Sequence, residues 1–99
     1  MAANVFRFET AFVRGCAKTY ASEIGFSPLA EAQMATLGVF WPAILQALRG
    51  GRVVWSDKEE ADVAKSIVVG TDCDGGRLRL TLEWSSSAYK LLVVSVERL

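Results

Sequence analysis

The sequence has 99 residues, 52% of them hydrophobic and none of them histidine, and its 11 basic and 11 acidic side chains give a formal net charge of zero. This length fits a single domain, residues 1–99, with one hydrophobic core. The absence of histidine excludes Ser–His and Cys–His nucleophile pairs and histidine metal ligands. A neutral chain lacks the basic excess typical of constitutive nucleic-acid binders, so RNA binding would need a local basic patch.

The cysteine content and the apolar runs bear on the cellular compartment. Cys16 and Cys73 are far apart in the sequence. Two such cysteines do not make a disulfide framework, and free thiols in a reducing compartment are expected. The first residues have no long apolar run of the kind found in signal peptides, and no apolar run approaches membrane-spanning length. We therefore expect a cytoplasmic protein without membrane association.

The N-terminal half of the sequence predicts two to three helices. Apolar side chains recur every four residues or so between about 6 and 24, which is typical of an amphipathic helix, and Gly25 is suited to end it. Ser27–Pro28 predicts the start of a second helix, because serine caps helices and proline is tolerated at the first helical position. Gly38 closes that helix. A third, short helix is predicted from Phe40 to Leu48.

Two groups of polar side chains lie outside the predicted core. Arg14 and Lys18 project away from the apolar stripe of the first helix, and they form either an ordinary solvated face or a basic strip beside a nucleic-acid groove. A short strand is predicted at 52–55. Residues 56–62, with four acids and one lysine, are predicted to form a solvated loop. Since these acids lack the ligand spacing of a calcium loop, no metal site is expected.

The C-terminal half predicts strands and a hairpin. Residues 77–84 alternate without a break, which is the period of a strand with one buried and one wet face. The residues on the predicted buried face are Leu78, Leu80, Leu82 and Trp84. Asp72–Gly76 supplies the residues of a tight turn, with a positive φ expected at Gly75 or Gly76. Further strands are predicted at about 64–71 and 88–98. The last is apolar on both faces, so it is either central and covered on both sides or covered by a partner.

The order of these elements predicts the fold class. Helices come first, and strands joined by short turns follow. This order indicates an α+β fold in which two to three N-terminal helices pack on a three- to four-stranded antiparallel sheet, connected as a meander.

One set of side chains suggests chemistry. The polar face of the predicted central strand carries Arg77 and Arg79, and a simple meander brings Lys65, Tyr89 and Arg98 close to them. A ribonuclease without metal or histidine would need such a set, since cationic groups hold the phosphate and a perturbed lysine or tyrosine moves the 2′-hydroxyl proton. The alternative is that arginines on an exposed strand are ordinary solubilising residues that also prevent edge pairing.

Three segments carry a family resemblance: residues 32–39, 44–54 and 70–80. Together they resemble an uncharacterised-domain family similar to the RelE- and MqsR-type toxins of bacterial toxin–antitoxin systems. The resemblance runs in order from residue 27 to residue 99. It implies two or three helices packed on a curved antiparallel sheet, with basic and tyrosine residues on the sheet that act on RNA.

The sequence departs from that family at several positions. Members often have a histidine where Leu29 stands and arginines where Gln33 and Leu37 stand. The tyrosine that MqsR-type toxins place on the middle strand falls near Leu78. Arg98 matches the basic residue near the end of the last strand.

Two functions from different classes therefore remain open. The first is a toxin-type protein acting on RNA, either as a metal-independent endoribonuclease or as an RNA-binding translation inhibitor. RNA or the ribosome would be its target, an antitoxin its protein partner, and no cofactor would be needed. The second is a small non-enzymatic inhibitor or regulator from a phage or mobile element. Its anchors would be Trp55, Tyr89 and the apolar last strand.

Overall fold

The computed structural model describes residues 6–60, 63–85 and 90–99, and for residues 58–60 it describes the backbone only. Three helices precede most of the strands. The elements are α1 (Arg7–Thr19), a 3₁₀ turn (Ala21–Glu23), β1 (Ile24–Phe26), α2 (Pro28–Leu37), α3 (Trp41–Gly50), β2 (Arg52–Glu60), β3 (Val63–Thr71), β4 (Arg77–Ser85) and β5 (Lys90–Arg98). The five strands form one sheet in the order β1-β5-β4-β3-β2.

The predicted fold class is confirmed at its coarser level, and the sheet differs in its details. The chain is α+β with three helices, and most strand pairs are antiparallel. The sheet has five strands rather than three or four. It is also not a pure antiparallel meander, because β1 pairs in parallel with β5, with Ile24 opposite Leu91. This short strand covers an edge of β5 that would otherwise present unpaired backbone groups.

The first helix ends earlier than the sequence predicts. It stops at Thr19, and Tyr20 N–H bonds the Cys16 carbonyl at 2.8 Å. Ile24 continues the four-residue spacing of the helix but is buried from β1 instead. Because a residue at that spacing is apolar in either structure, periodicity alone could not separate the end of the helix from the strand.

The predicted loop at 56–62 is also wrong over most of its length. β2 continues through Glu60, with Ser56 opposite Ser66 and Asp57 opposite Lys65. Polar side chains are compatible with a strand when each meets a polar or oppositely charged partner across the sheet. Residues 61 and 62 lie outside the described part of the chain.

The start of α2 follows the predicted capping chemistry. The Ser27 hydroxyl oxygen accepts the Ala30 N–H at 3.0 Å and donates to the Val94 carbonyl at 2.7 Å. The serine therefore caps the helix and ties it to β5 in one step. Gly38, at φ 68°, closes the helix as predicted.

The helices cover one face of the sheet, and the predicted register of β4 is confirmed. Leu78, Leu80 and Leu82 have no exposed surface, and Trp84 is 6% exposed. Phe12 from α1 stacks on Trp84 with ring centroids 4.5 Å apart. α3 lies so close to β3 that a Cβ at Gly70 would collide with the Ala47 carbonyl. The core thus lies between the helices and this packed face of the sheet.

The β3–β4 hairpin has the predicted turn. Gly75 has a φ of 87°, which glycine adopts without the strain that a side chain would bring. Asp72 N–H bonds the Gly76 carbonyl at 2.8 Å. The Asp72 carboxylate in turn accepts the N–H groups of Asp74 and Gly76 at 2.9 and 2.8 Å. One aspartate therefore organises the whole turn.

Candidate functional site

The face of the sheet opposite the helices carries most of the predicted functional residues. Its side chains alternate with the buried ones and are exposed or half-buried. We call this surface the open face, and its members are Arg52, Trp55, Asp57, Lys65, Ile67, Val69, Arg77, Arg79, Thr81, Glu83, Leu92, Ser95 and Glu97. The described helices do not cover it, so it is available to a ligand.

An uncharged band crosses the middle of the open face. In the strand register Trp55 lies beside Ile67, Ile67 beside Thr81, and Thr81 beside Ser95. Trp55 is 42% exposed. A β-bulge puts it there, because Val53 pairs with Val68 while Trp55 already pairs with Ile67. An exposed indole can stack on a nucleic-acid base or fill a pocket of a protein partner.

Arg77 and Arg79 both lie on the open face, as the sequence predicts, but in different states. Arg79 Nε donates to Glu97 Oε1 at 2.8 Å. This hydrogen bond and the opposite charge lower the pKa of Glu97 and raise the pKa of Arg79. Arg77 makes no side-chain hydrogen bond or ion pair within the part of the chain that the structure describes. Arg77 can therefore meet an anion without giving up a partner.

Lys65 lies on the same face but in another row of the sheet. The register puts it between Asp57 on β2 and Glu83 on β4. Two carboxylates and one ammonium leave this row with a net negative charge. The row of Arg79 meets β3 at Val69, four residues from Lys65. That separation is about 13 Å along an extended strand. The backbones of Lys65 and Arg79 are therefore well separated, and the Arg79 guanidinium is bonded to Glu97 on β5, the strand on the other side of β4 from Lys65.

Arg98 lies on the opposite face from the other candidates. It pairs with the buried Leu78, and its guanidinium bonds Asp72 Oδ2 and the Leu37 carbonyl, both at 3.4 Å. These contacts join the end of β5 to the hairpin turn and to the end of α2. Tyr89, the remaining predicted site residue, lies outside the described residues. The structure thus brings together Arg77 and Arg79 and sets Arg98 apart.

A groove between α2 and β5 contains Gln33 and Leu37, two of the positions at which the sequence departs from the family it resembles. It has a volume of about 360 Å³ and is lined by Ala32, Gln33, Thr36, Leu37, Val96, Glu97 and Arg98. Gln33 Oε1 accepts the Val96 N–H at 2.7 Å, so this side chain holds the strand rather than a ligand. Arg98, the arginine in the groove, is bonded to Asp72 and Leu37. The other charged residue of its lining is Glu97, so the groove has no net positive charge to hold a phosphate.

The two cysteines offer limited chemistry. Cys16 is buried, and burial raises the pKa of its thiol, which makes it a poor nucleophile. Cys73 is exposed on the hairpin turn, with its sulfur 3.8 Å from the Pro42 carbonyl. Both are free thiols, as predicted.

The described residues also bear on metal binding and on membrane spanning. Its His, Cys, Asp and Glu side chains form no group of three or more that could hold a metal ion. Within residues 6–60, 63–85 and 90–99, every helix is too short or too polar to cross a membrane.

A second basic site lies where α1 meets the edge strand β2. A cavity of about 200 Å³ is lined by Arg7, Thr10, Ala11, Arg14 and Arg52. The sequence pointed to Arg14 but not to the other two arginines. Arg7 and Arg14 are seven residues apart, two helical turns on one face, and this spacing could have joined them. The place of Arg52 depends on how β2 lies against α1, which no local pattern gives.

Comparison of this chain with models of known families, with curated proteins and with solved structures found no match.

Proposed function

We propose that the chain is a toxin-type protein that binds single-stranded RNA on the open face of its sheet and inhibits translation by that binding. Arg77 and Arg79 would contact phosphates, and Trp55 would stack on a base. Proteins that bind single strands combine cationic side chains with exposed aromatic rings in this way. The observation that carries the proposal is that one uncovered face holds both arginines and the exposed indole.

The spacing on the open face supports binding to several nucleotides. Trp55 on β2 lies in the same row as Thr81 on β4, two strands away, and Arg79 is two residues before Thr81. Their backbones are therefore separated by about 12 Å, at the usual dimensions of a sheet. An RNA strand lying across the sheet would meet the indole in the uncharged band and the guanidinium groups beyond it.

The same geometry favours binding over cleavage. Cleavage without a metal needs a proton-transfer group and a charge-stabilising group at the same phosphate. Lys65 is about 13 Å along the strand from the row of Arg79, and Arg98 lies on the packed side of the sheet. We therefore propose RNA binding without a catalytic step by these residues.

The test measures the binding of a fluorescently labelled single-stranded RNA to the wild type and to Arg77→Ala/Arg79→Ala. Fluorescence anisotropy gives the binding constant at each of several salt concentrations. Each phosphate contact on a single strand adds about 0.7 to the slope of log K against log salt, so losing two lowers the slope by about 1.4. Trp55→Ala should weaken binding by about 1–3 kcal/mol, the usual contribution of one stacked base.

A matched control is Lys18→Ala/Arg49→Ala, which removes two exposed positive charges from the helical side of the molecule. It should leave the salt slope unchanged. Expression of the wild type should arrest growth, and the open-face double variant should relieve the arrest. The proposal fails when the wild type does not bind RNA, or when both double variants reduce the slope equally.

A second candidate function is a non-enzymatic inhibitor or regulator that binds another protein. Exposed apolar side chains on β2 and β3 favour it: Val54, Trp55 and Val63 are 44%, 42% and 40% exposed. Under this function Trp55→Ala removes partner binding, because a large aromatic group is a typical anchor. Arg77→Ala/Arg79→Ala leaves partner binding in place, and the wild type shows no salt-dependent binding to RNA.

A further inference from the structure

The cavity between α1 and β2 has the composition of an anion site. Three of its lining residues are arginines, and the others are Thr10 and Ala11. None of the lining residues is acidic. Arg7, Arg14 and Arg52 also make no ion pair with a carboxylate within the part of the chain that the structure describes. In a chain with zero net charge, this is a local concentration of positive charge.

The hydrogen bonds around the cavity fix two of its donors. Arg14 Nε and Nη2 donate to the carbonyls of Gly51 and Gly50 at 2.8 and 3.3 Å. These bonds use two of the five N–H donors of a guanidinium, and the other three stay available. Thr10 Oγ1 accepts the Val53 N–H at 3.0 Å, so its own hydroxyl hydrogen is free to donate. The site therefore has donors held in place before any ligand arrives.

We propose that this cavity binds a phosphate group, with Arg7, Arg14 and Arg52 providing charge and Thr10 a hydroxyl donor. Arginine matches the oxygens of phosphate with paired N–H groups and is the usual residue for this purpose. The cavity, at about 200 Å³, is smaller than the roughly 300–1,000 Å³ of pockets for drug-sized ligands. It suits a phosphate group rather than a whole nucleotide. The site does not depend on the proposed RNA binding on the open face.

The experiment is an NMR titration of the ¹⁵N-labelled protein with inorganic phosphate, compared with sodium chloride at the same ionic strength. We expect saturable shifts of the Thr10, Ala11 and Val53 amides with phosphate only. The variant Arg7→Gln/Arg52→Gln should weaken phosphate binding roughly tenfold or more, since it removes two guanidinium groups whose hydrogen bonds to an anion are charge-assisted. Arg14 is left in place because it also holds the end of α3.

The control Lys18→Gln/Lys90→Gln removes two positive charges that do not line the cavity, and it should keep wild-type phosphate binding. The open-face variant Arg77→Ala/Arg79→Ala should keep it as well, so the two proposals can fail independently. The site is refuted when the shifts do not saturate, when chloride gives the same shifts, or when Arg7→Gln/Arg52→Gln binds phosphate like the wild type while its melting temperature is unchanged.

A second titration identifies the source of the phosphate. It compares a short RNA carrying a 5′-phosphate with the same RNA carrying a 5′-hydroxyl. Tighter binding of the phosphorylated RNA, lost in Arg7→Gln/Arg52→Gln, assigns the site to an RNA end. Equal binding of the two RNAs together with saturable binding of inorganic phosphate assigns it to a small phosphate-containing ligand.

Discussion

The two faces of β4 are made of alternating residues of one strand, yet they are held in different ways. On the packed face, Leu80 has no exposed surface and lies opposite Val68 and Val96, beneath the helices. On the open face, the adjacent Arg79 reaches Glu97 at 2.8 Å, and both side chains are about half exposed. The packed face gains free energy by removing apolar surface from water, whereas an exposed ion pair contributes little.

This difference shows where the chain can carry function at low cost in stability. Charges on the open face meet opposite charges across the sheet, as Arg79 meets Glu97 and as Lys65 lies between Asp57 and Glu83. Such lateral pairs keep the face polar without fixing the fold. Residues on the open face can therefore be chosen for a ligand, whereas those on the packed face are constrained by close packing.

The largest expected effect comes from truncating the packed face. Leu80→Ala should lower the free energy of unfolding by about 2–5 kcal/mol, because it removes buried methyl groups and leaves a cavity. Urea denaturation followed by tryptophan fluorescence measures this loss. The neighbouring Arg79→Ala is the matched control, and it should change stability by about 0.5 kcal/mol or less. Equal losses from the two variants would show that the faces do not differ as described.

The regular parts of the fold could be predicted from the sequence because local chemistry decides them. The alternation of residues 77–84 commits four large side chains to one face, and a slip of one residue would expose all of them. Ser27–Pro28 and Gly75 likewise have few alternative uses. These elements lie where the sequence predicts them.

The parts that could not be predicted depend on tertiary pairing. The bulge after Val53 places Trp55 on the open face, opposite Ile67. A regular strand would instead place it opposite Ser66, on the packed face. Arg98 lies on the packed side because it pairs with Leu78 and finds Asp72 at the turn. Both placements need the register of two strands, which the order of residues in one strand does not contain. The candidate site was therefore only partly predictable.

A smaller effect is expected from a polar group on the packed face. Ser66 is fully buried, and its hydroxyl lies 2.8 Å from both Trp84 Nε1 and Ser56 Oγ. Ser66→Ala should cost about 1–3 kcal/mol, because the buried indole N–H loses its acceptor. Ser95→Ala on the open face is the control and should be nearly neutral. A neutral Ser66→Ala would mean that the indole N–H finds another partner, and a change in the near-ultraviolet circular dichroism of the tryptophans would report the rearrangement.

The smallest effect is expected from two carboxylates in acid. Burial opposes ionisation of Asp72, but the N–H groups of Asp74 and Gly76 and the Arg98 guanidinium outweigh it and lower the pKa. The pKa of Glu97 is lowered by its bond to Arg79. For an acid whose pKa is lowered in the folded state, the stabilisation is present above the unfolded pKa. This stabilisation is lost as the pH falls through the pKa of the folded state.

The difference in unfolding free energy between wild type and Asp72→Asn should therefore be constant near neutral pH and shrink below about pH 4, the unperturbed range of aspartate. Glu97→Gln should behave similarly at low salt. In about 1 M salt the Glu97 difference should disappear at every pH, because exposed ion pairs are screened. The Asp72 difference should persist there, since its donors are backbone N–H groups at 2.8 and 2.9 Å and the side chain is only 6% exposed. Urea titrations from pH 7 to pH 2 at both salt concentrations measure all four curves. Loss of the Asp72 difference in salt would show that Arg98, rather than the turn backbone, stabilises that carboxylate.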